Sequence, residues 1–205
     1  MQDTHRPYYL IIGLGASGVS MAKFLNSKGY NVIATDIDES KAMIAKELNE
    51  LGIKTQIGFH DQKIFNHAKI MIPSPGIPLN NKFIKTALNN GVDLTGELDI
   101  FTKYNDLPVI AITGTNGKTT VTTLIGDILK QSLMTPFVGG NIGTPLIEYL
   151  RSKKQIEENK ETKNLIETKR KNETESRIET DIIVAEISSF QLDISKKFKP
   201  ILECF

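Results

Sequence analysis

Thr113-Gly114-Thr115-Asn116-Gly117-Lys118-Thr119-Thr120 follows the apolar run Val109–Ile112 and leads into a segment whose apolar residues, Val121, Leu124, Ile125, Ile128 and Leu129, keep helical spacing. A strand, a glycine-containing turn and a helix in that order place the unpaired N–H groups of a helix N-terminus just beyond the end of a strand. That arrangement binds phosphate. Lys118 is placed to set a point charge on the outer phosphates of a nucleotide and the Thr119 hydroxyl to complete a Mg²⁺ shell, while Gly114 and Gly117 let the backbone come close. The strict P-loop pattern wants a glycine five positions before Gly117, where this chain has Ile112, so the element is a variant of that loop. A plain helix-capping turn is the alternative, and the strand and helix on either side favour the phosphate loop.

Toward the N-terminus a second glycine-rich turn follows a strand. Tyr8–Ile12 is apolar and ends in Gly13-Leu14-Gly15-Ala16-Ser17-Gly18, after which Val19, Ala22, Phe24 and Leu25 keep helical spacing up to Gly29. The next apolar run, Asn31–Thr35, ends in Asp36, about 20 residues past the glycines, which completes a dinucleotide-type fingerprint with the acid suited to ribose hydroxyls. The spacing predicts a helix over Glu39–Leu51, strands at Lys54–Ile57 and Lys69–Ile72, a helix over Phe83–Leu88, a strand at Val92–Leu94 and a helix over Glu97–Tyr104. Pro73-Ser74-Pro75-Gly76-Ile77-Pro78 carries three prolines in six residues, which excludes a helix or a central strand. A stiff loop at a strand end is where open α/β sheets place ligand contacts, so Ser74 and Gly76 are candidates, with a bare connector as the alternative.

Leu107-Pro108 marks a joint between domains, because a new strand and the phosphate loop begin at once. After the loop's helix, Thr135–Val138 reads as a strand ending in Gly139-Gly140-Asn141-Ile142-Gly143, whose one amide side chain suits a sugar or a phosphate. From Arg151 to Thr180 the composition turns to Lys, Glu, Asn and Thr with isolated Ile and Leu, which reads as a disordered or solvated insertion. Asp181–Ala185 is a buried-type strand ending in Glu186, an acid where a nucleotide-bound Mg²⁺ needs a second protein ligand. A further strand begins near Ile201.

The composition narrows the function classes. A net charge of +1 over 205 residues argues against nucleic acid as the main partner, and the single Cys204 excludes a disulfide framework or a cysteine zinc cluster. No run approaches the roughly 18 apolar residues of a membrane span, and Met1–Pro7 lacks a signal-peptide core, so the expectation is a cytoplasmic monomer without membrane contact.

Gly13–Gly18, Ser74-Pro75-Gly76-Ile77, Gly96-Glu97-Leu98-Asp99-Ile100-Phe101, Gly114–Thr120, Gly139–Gly143 and Glu186-Ile187-Ser188-Ser189-Phe190-Gln191-Leu192 occur together in the order that resembles the Mur ligase family. The phosphate loop alone is shared with related folate polyglutamylating enzymes. The N-terminal glycines combined with the Ser-Pro-Gly-Ile and Ser-Ser-Phe-Gln-Leu elements are similar to the branch that adds D-glutamate to UDP-N-acetylmuramoyl-L-alanine in peptidoglycan synthesis, and so serves cell shape and division. The resemblance implies an α/β chain with a Rossmann-like domain over residues 1–105 that binds the UDP substrate. It implies an incomplete ATP-binding central domain over residues 106–205, with the charged insertion at 151–180 and the C-terminal domain absent. It implies ATP and Mg²⁺ as cofactors. By matching positions, Ala16, Ser17, Asp36, Ile37, Ser74, Gly76 and Asn141 hold the UDP-sugar. Gly114, Thr115, Asn116, Gly117, Lys118, Thr119 and Thr120 cradle ATP phosphates, and Thr119 and Glu186 share the metal; Lys118, Thr119 and Glu186 are the catalytic set. Because the family's later elements do not follow, the expectation is that this chain alone is an inactive fragment of an acid–amino-acid ligase. Two alternatives stand beside it. One is a remnant that binds UDP-sugar or ATP without turnover; the other, an NAD-dependent oxidoreductase, leaves the phosphate loop unexplained.

Overall fold

The computed structural model describes residues 6–153 and 180–204, which fall into two compact units, Met1–Lys103 with Ser189–Phe198 and Tyr104–Ser188 with Lys199–Phe205. The greater part of the charged segment expected to be an insertion, 154–179, lies outside the described residues; its first residues, 151–153, end the described part of a helix.

The first unit begins with β1 (Tyr9–Ile12), α1 (Ala16–Ser27), β2 (Val32–Asp36), α2 (Ala42–Glu50) and β3 (Lys54–Ile57). It continues with α3 (Gln62–Asn66), β4 (Ile70–Pro73), α4 (Lys82–Asn89), β5 (Asp93–Leu94) and α5 (Glu97–Tyr104). The strands form a parallel sheet in the order β3-β2-β1-β4-β5. All four residues of β1 are buried, as a central parallel strand covered on both faces requires, which is why its sequence runs apolar without alternation. The chain builds outward from β1 to β3 and then returns to the other side of β1 for β4. The loops after β1 and β4 therefore diverge from neighbouring strand ends, the switch point at which open α/β sheets bind ligands. One face of the sheet buries Leu10, Ile12, Phe65, Met71 and Ile84 in a common core.

Two local features depart from the sequence expectation. The helix expected over Glu39–Leu51 opens as a 3₁₀ turn, Glu39–Lys41, because the Asp38 carboxylate accepts from Ser40 N and caps it before α2 begins. The short α3 was not foreseen; five residues carry too little periodicity, and what defines it is the cap in which Asp61 accepts from Lys63 N.

The second unit contains β6 (Val109–Ile112), α6 (Lys118–Gln131), β7 (Pro136–Gly140), α7 (described over 146–153), β8 (Ile182–Glu186) and β9 (Leu202–Cys204). Its parallel sheet runs β7-β8-β6-β9. Ile110, Ile112, Ile182 and Val184 form the core, and Ile125 and Leu129 of α6 pack on it. Val121, Leu124 and Ile128, expected on the same apolar face, are exposed. The strand expected at Thr135–Val138 instead includes Gly139 and Gly140, which pair with Ala185 and Glu186. A last helix, α8 (Ser189–Ile194), follows β8 in sequence and is packed with the first unit.

Candidate functional site

In the second unit three strand ends converge on one carboxylate. Ile112 of β6 and Gly140 of β7 both pair with Glu186 of β8, so the phosphate loop and the Gly139–Gly143 turn leave the sheet on either side of it. The turn is locked by Asn141 N donating to Glu186 O at 2.8 Å, and Ile187 N donates to Ile112 O at 2.8 Å. Gly140 is obligatory here. Its φ is +125°, and a Cβ would lie 2.1 Å from Glu186 O.

The Glu186 side chain is only 2% exposed. Its Oε2 accepts from Thr119 Oγ1 at 2.8 Å, across 67 residues of sequence, while its Oε1 is buried and unpartnered. A carboxylate oxygen removed from water without a donor is costly, and a bound cation is what offsets that cost. A hard, oxygen-seeking ion suits this donor set of one carboxylate and one hydroxyl at the N-terminus of α6, so the residues fit Mg²⁺.

Gly117, at φ +77°, is the N-cap of α6 and turns the chain so that Lys118 and Thr119 open the helix. The Lys118 ammonium donates to Gly114 O at 2.7 Å, which folds it back over the loop. Gly114, Thr115, Asn116, Thr119 and Thr120 are all exposed, so the loop is open to a ligand along its length. Asn141 is exposed as well.

In the first unit the glycine loop hangs on the end of β2. Gly13 N donates to Thr35 O at 2.8 Å and Leu14 N to Asp36 Oδ2 at 2.7 Å, while Asp36 Oδ1 accepts from Asp38 N at 2.9 Å. Asp36 thus braces the loop through one oxygen and its own turn through the other, with lone pairs left on each. Gly15 is the N-cap of α1, with Ala16 exposed at its first position and Ser17 half-buried beside it. Ile37 is 64% exposed and Gly76 is exposed at φ +90°.

Ser74 is placed differently from a free ligand contact. It is buried, and its hydroxyl donates to Gly13 O at 2.8 Å, tying the β4 loop to the β1 loop. That tie explains Gly18, where a Cβ would come within 2.0 Å of Gly13 O and 2.5 Å of Ser74 Oγ.

Sequence reasoning passed over His60. Its Nδ1 lies 2.9 Å from the Thr35 hydroxyl, and its ring stands edge-on to Phe65 and Phe83 at centroid distances of 5.2 and 5.3 Å. Burial pushes its pKa below the usual histidine value, and nearby Asp36 offsets only part of that. The only sequence signal was a histidine directly after a strand and a glycine turn.

Comparison with known proteins identifies the family. The Mur ligase MurD-like N-terminal domain matches residues 8–96, and the Mur ligase middle domain matches residues 112–203. The chain belongs to the Mur ligase family. It is similar to the UDP-N-acetylmuramoylalanine–D-glutamate ligase of Desulfosudis oleivorans, with 37% identity over 201 residues that cover 97% of this chain and 38% of the relative. It is also similar to the enzyme of the same name from Pelobacter propionicus, with 36% identity over 193 residues, 93% of this chain and 38% of the relative. The chain therefore spans well under half the length of these curated relatives. Among solved structures, a pseudomurein peptide ligase type C from Methanothermus fervidus is similar at 28% identity and a TM-score of 0.47, covering 90% of this chain and 33% of that one.

Proposed function

We propose that this chain carries the UDP-substrate and ATP-phosphate sites of a cytoplasmic ligase that joins D-glutamate to UDP-N-acetylmuramoyl-L-alanine. The observation that carries the reading is the buried, half-partnered Glu186 beside Thr119 at the mouth of the phosphate loop. No described helix is long and apolar enough to cross a membrane.

The reaction is an ATP-dependent amide formation through an acyl phosphate, and its physical obstacle is repulsion between a carboxylate and a triphosphate. Nucleotide-bound Mg²⁺ supplies charge neutralisation between them. Within the chain, the N–H groups at the start of α6 hold phosphate oxygens, and Lys118 exchanges its Gly114 O contact for an outer phosphate. Thr119 and Glu186 would hold the cation, with no protein nucleophile required. In the first unit, Ala16, Ser17, Asp36, Ile37 and Gly76 surround the UDP moiety, while Ser74 fixes the loop that receives it. In the second unit, Asn141 is held on the turn beside Glu186, where its exposed amide is available to a phosphate or sugar oxygen.

Calorimetry with MgATP tests the central observation. Glu186→Gln keeps the size of the side chain but removes its charge, so metal-dependent ATP affinity should fall about tenfold or more while metal-free affinity changes little. Equal MgATP affinity in the two proteins would refute the metal assignment. Incubating the chain with UDP-N-acetylmuramoyl-L-alanine, D-glutamate, ATP and Mg²⁺, with product read by mass spectrometry, separates turnover from the second reading, binding without turnover.

A further inference from the structure

We infer that His60 is a ligand-contacting residue of the first unit, donating a hydrogen bond from Nε2 to an acceptor oxygen of the bound nucleoside diphosphate. This rests on the reading of that unit as the binder of the UDP moiety. Four observations converge on it. The ring is held from one side only, because Nδ1 hydrogen-bonds with the hydroxyl of the fully buried Thr35 and Nε2 has no protein partner among the described residues. Nε2 is not among the buried unpartnered atoms, so it faces solvent rather than core.

The ring is also clamped, since Phe65 and Phe83 meet it edge-on and lie 5.4 Å apart themselves, which leaves the imidazole little freedom to turn. It stands at the ligand end of the sheet. Thr35 immediately precedes Asp36, whose charge His60 senses, and Ile77, packed on the same apolar cluster as Phe83, approaches Gly13 of the glycine loop.

Here a rotationally fixed ring presents one nitrogen outward at the strand ends, the preorganisation that a specificity contact needs. The tautomer the proposal takes is the one in which the Thr35 hydroxyl donates to Nδ1 and the neutral ring carries its proton on Nε2. The partner it suits is then an acceptor, and ribose, uracil and diphosphate all present acceptor oxygens.

The test uses UDP and the full chain. His60→Asn retains an amide near Nδ1 for Thr35 but lacks the outward nitrogen, whereas His60→Gln reaches the Nε2 position and gives up the Thr35 contact. His60→Asn should unfold at the wild-type temperature and bind UDP roughly three- to tenfold more weakly, the effect of one net hydrogen bond. His60→Gln should recover part of that loss. In the wild-type protein the His60 ring resonances should shift on UDP saturation, a readout that needs no variant to fold. Unchanged UDP affinity in His60→Asn, or an unmoved His60 resonance at saturation, overturns the assignment. Failure of the wild-type chain to bind UDP at all overturns the UDP reading of the unit, and this contact with it.

Discussion

Lys118 and Glu186 are the two charged side chains of the phosphate loop and the strand end beside it, one folded over the loop and the other buried against Thr119. Lys118 rests on Gly114 O at 2.7 Å, a contact that a phosphate oxygen can replace with a charge-assisted bond. Lys118→Ala should therefore weaken MgATP binding by roughly 1 to 3 kcal/mol while leaving thermal stability nearly unchanged. A calorimetric dissociation constant equal to that of the wild type would show the loop to be only a turn. Gly140→Ala tests the backbone of the same site. A methyl group there meets Glu186 O at 2.1 Å on a strand whose φ of +125° disfavours any side chain. The expected loss is about 2 kcal/mol or more of stability, together with lower MgATP affinity, because the carbonyl and the carboxylate belong to the same residue. Denaturant unfolding with the wild-type midpoint would contradict that packing.

At the level of elements, α8 is the part whose attachment most needs explaining. Its helix pattern is short, and it follows β8 after only Ile187 and Ser188. What seats it in the first unit is Asp99 of α5, whose carboxylate accepts from Ser195 Oγ at 2.7 Å, Lys197 N at 2.8 Å, Lys196 N at 2.9 Å and Thr95 Oγ1 at 3.2 Å. Gln191 adds a buried bond to Glu97, and Ile194 lies so close to Gly96 that a Cβ there would sit 2.9 Å from it. Asp99→Ala strands those donors at once, so a loss of about 2 to 4 kcal/mol is expected. Hydrogen exchange should quicken in 189–198 and stay unchanged in 182–186. Equal acceleration in both would mean that Asp99 does not hold α8 separately.

The same clasp gives a pH dependence with a definite sign. Burial alone would raise the Asp99 pKa, but the bonds from Ser195, Lys197, Lys196 and Thr95 outweigh it and hold the folded value below the ordinary 3.8. The stabilisation is therefore complete above about pH 4 and is lost as the pH falls through the lower folded value. Urea midpoints for the wild type and Asp99→Asn should converge as the pH drops below 4. A gap that stays constant from pH 6 to pH 3 would rule out this linkage.

For the whole molecule, strand order predicts where stability is concentrated. β1 lies between β2 and β4, β6 between β8 and β9, and β8 between β7 and β6, whereas β3, β5, β7 and β9 each have one edge unpaired among the described residues. Amides of Tyr9–Ile12, Val109–Ile112 and Ile182–Glu186 should exchange slowest, and those of Asp93–Leu94 and Leu202–Cys204 among the fastest of the strands, since their edges are open and Leu202 is half-exposed. Hydrogen exchange by mass spectrometry checks the ranking, and slow exchange at β9 would mean that its free edge is covered.

Much of the fold and part of the site were legible in the linear chain. Gly13–Gly18, Gly114–Thr120 and Gly139–Gly143 are contiguous backbone instructions, and the apolar runs before them have the unbroken pattern of strands buried on both faces. The sequence alone thus determined two parallel α/β units, the loops at their strand ends and the family, because turn geometry and periodicity depend on neighbouring residues. Tertiary structure alone decided which distant side chains meet. It set Thr119 against Glu186 across 67 residues, spent the Ser74 hydroxyl on Gly13 O across 61, fixed His60 on Thr35, and placed α8 with the first unit. Those pairings depend on strand order and register. A one-residue slip of register would leave the apolar pattern readable while turning strand residues such as Thr35 and Glu186 to the opposite face.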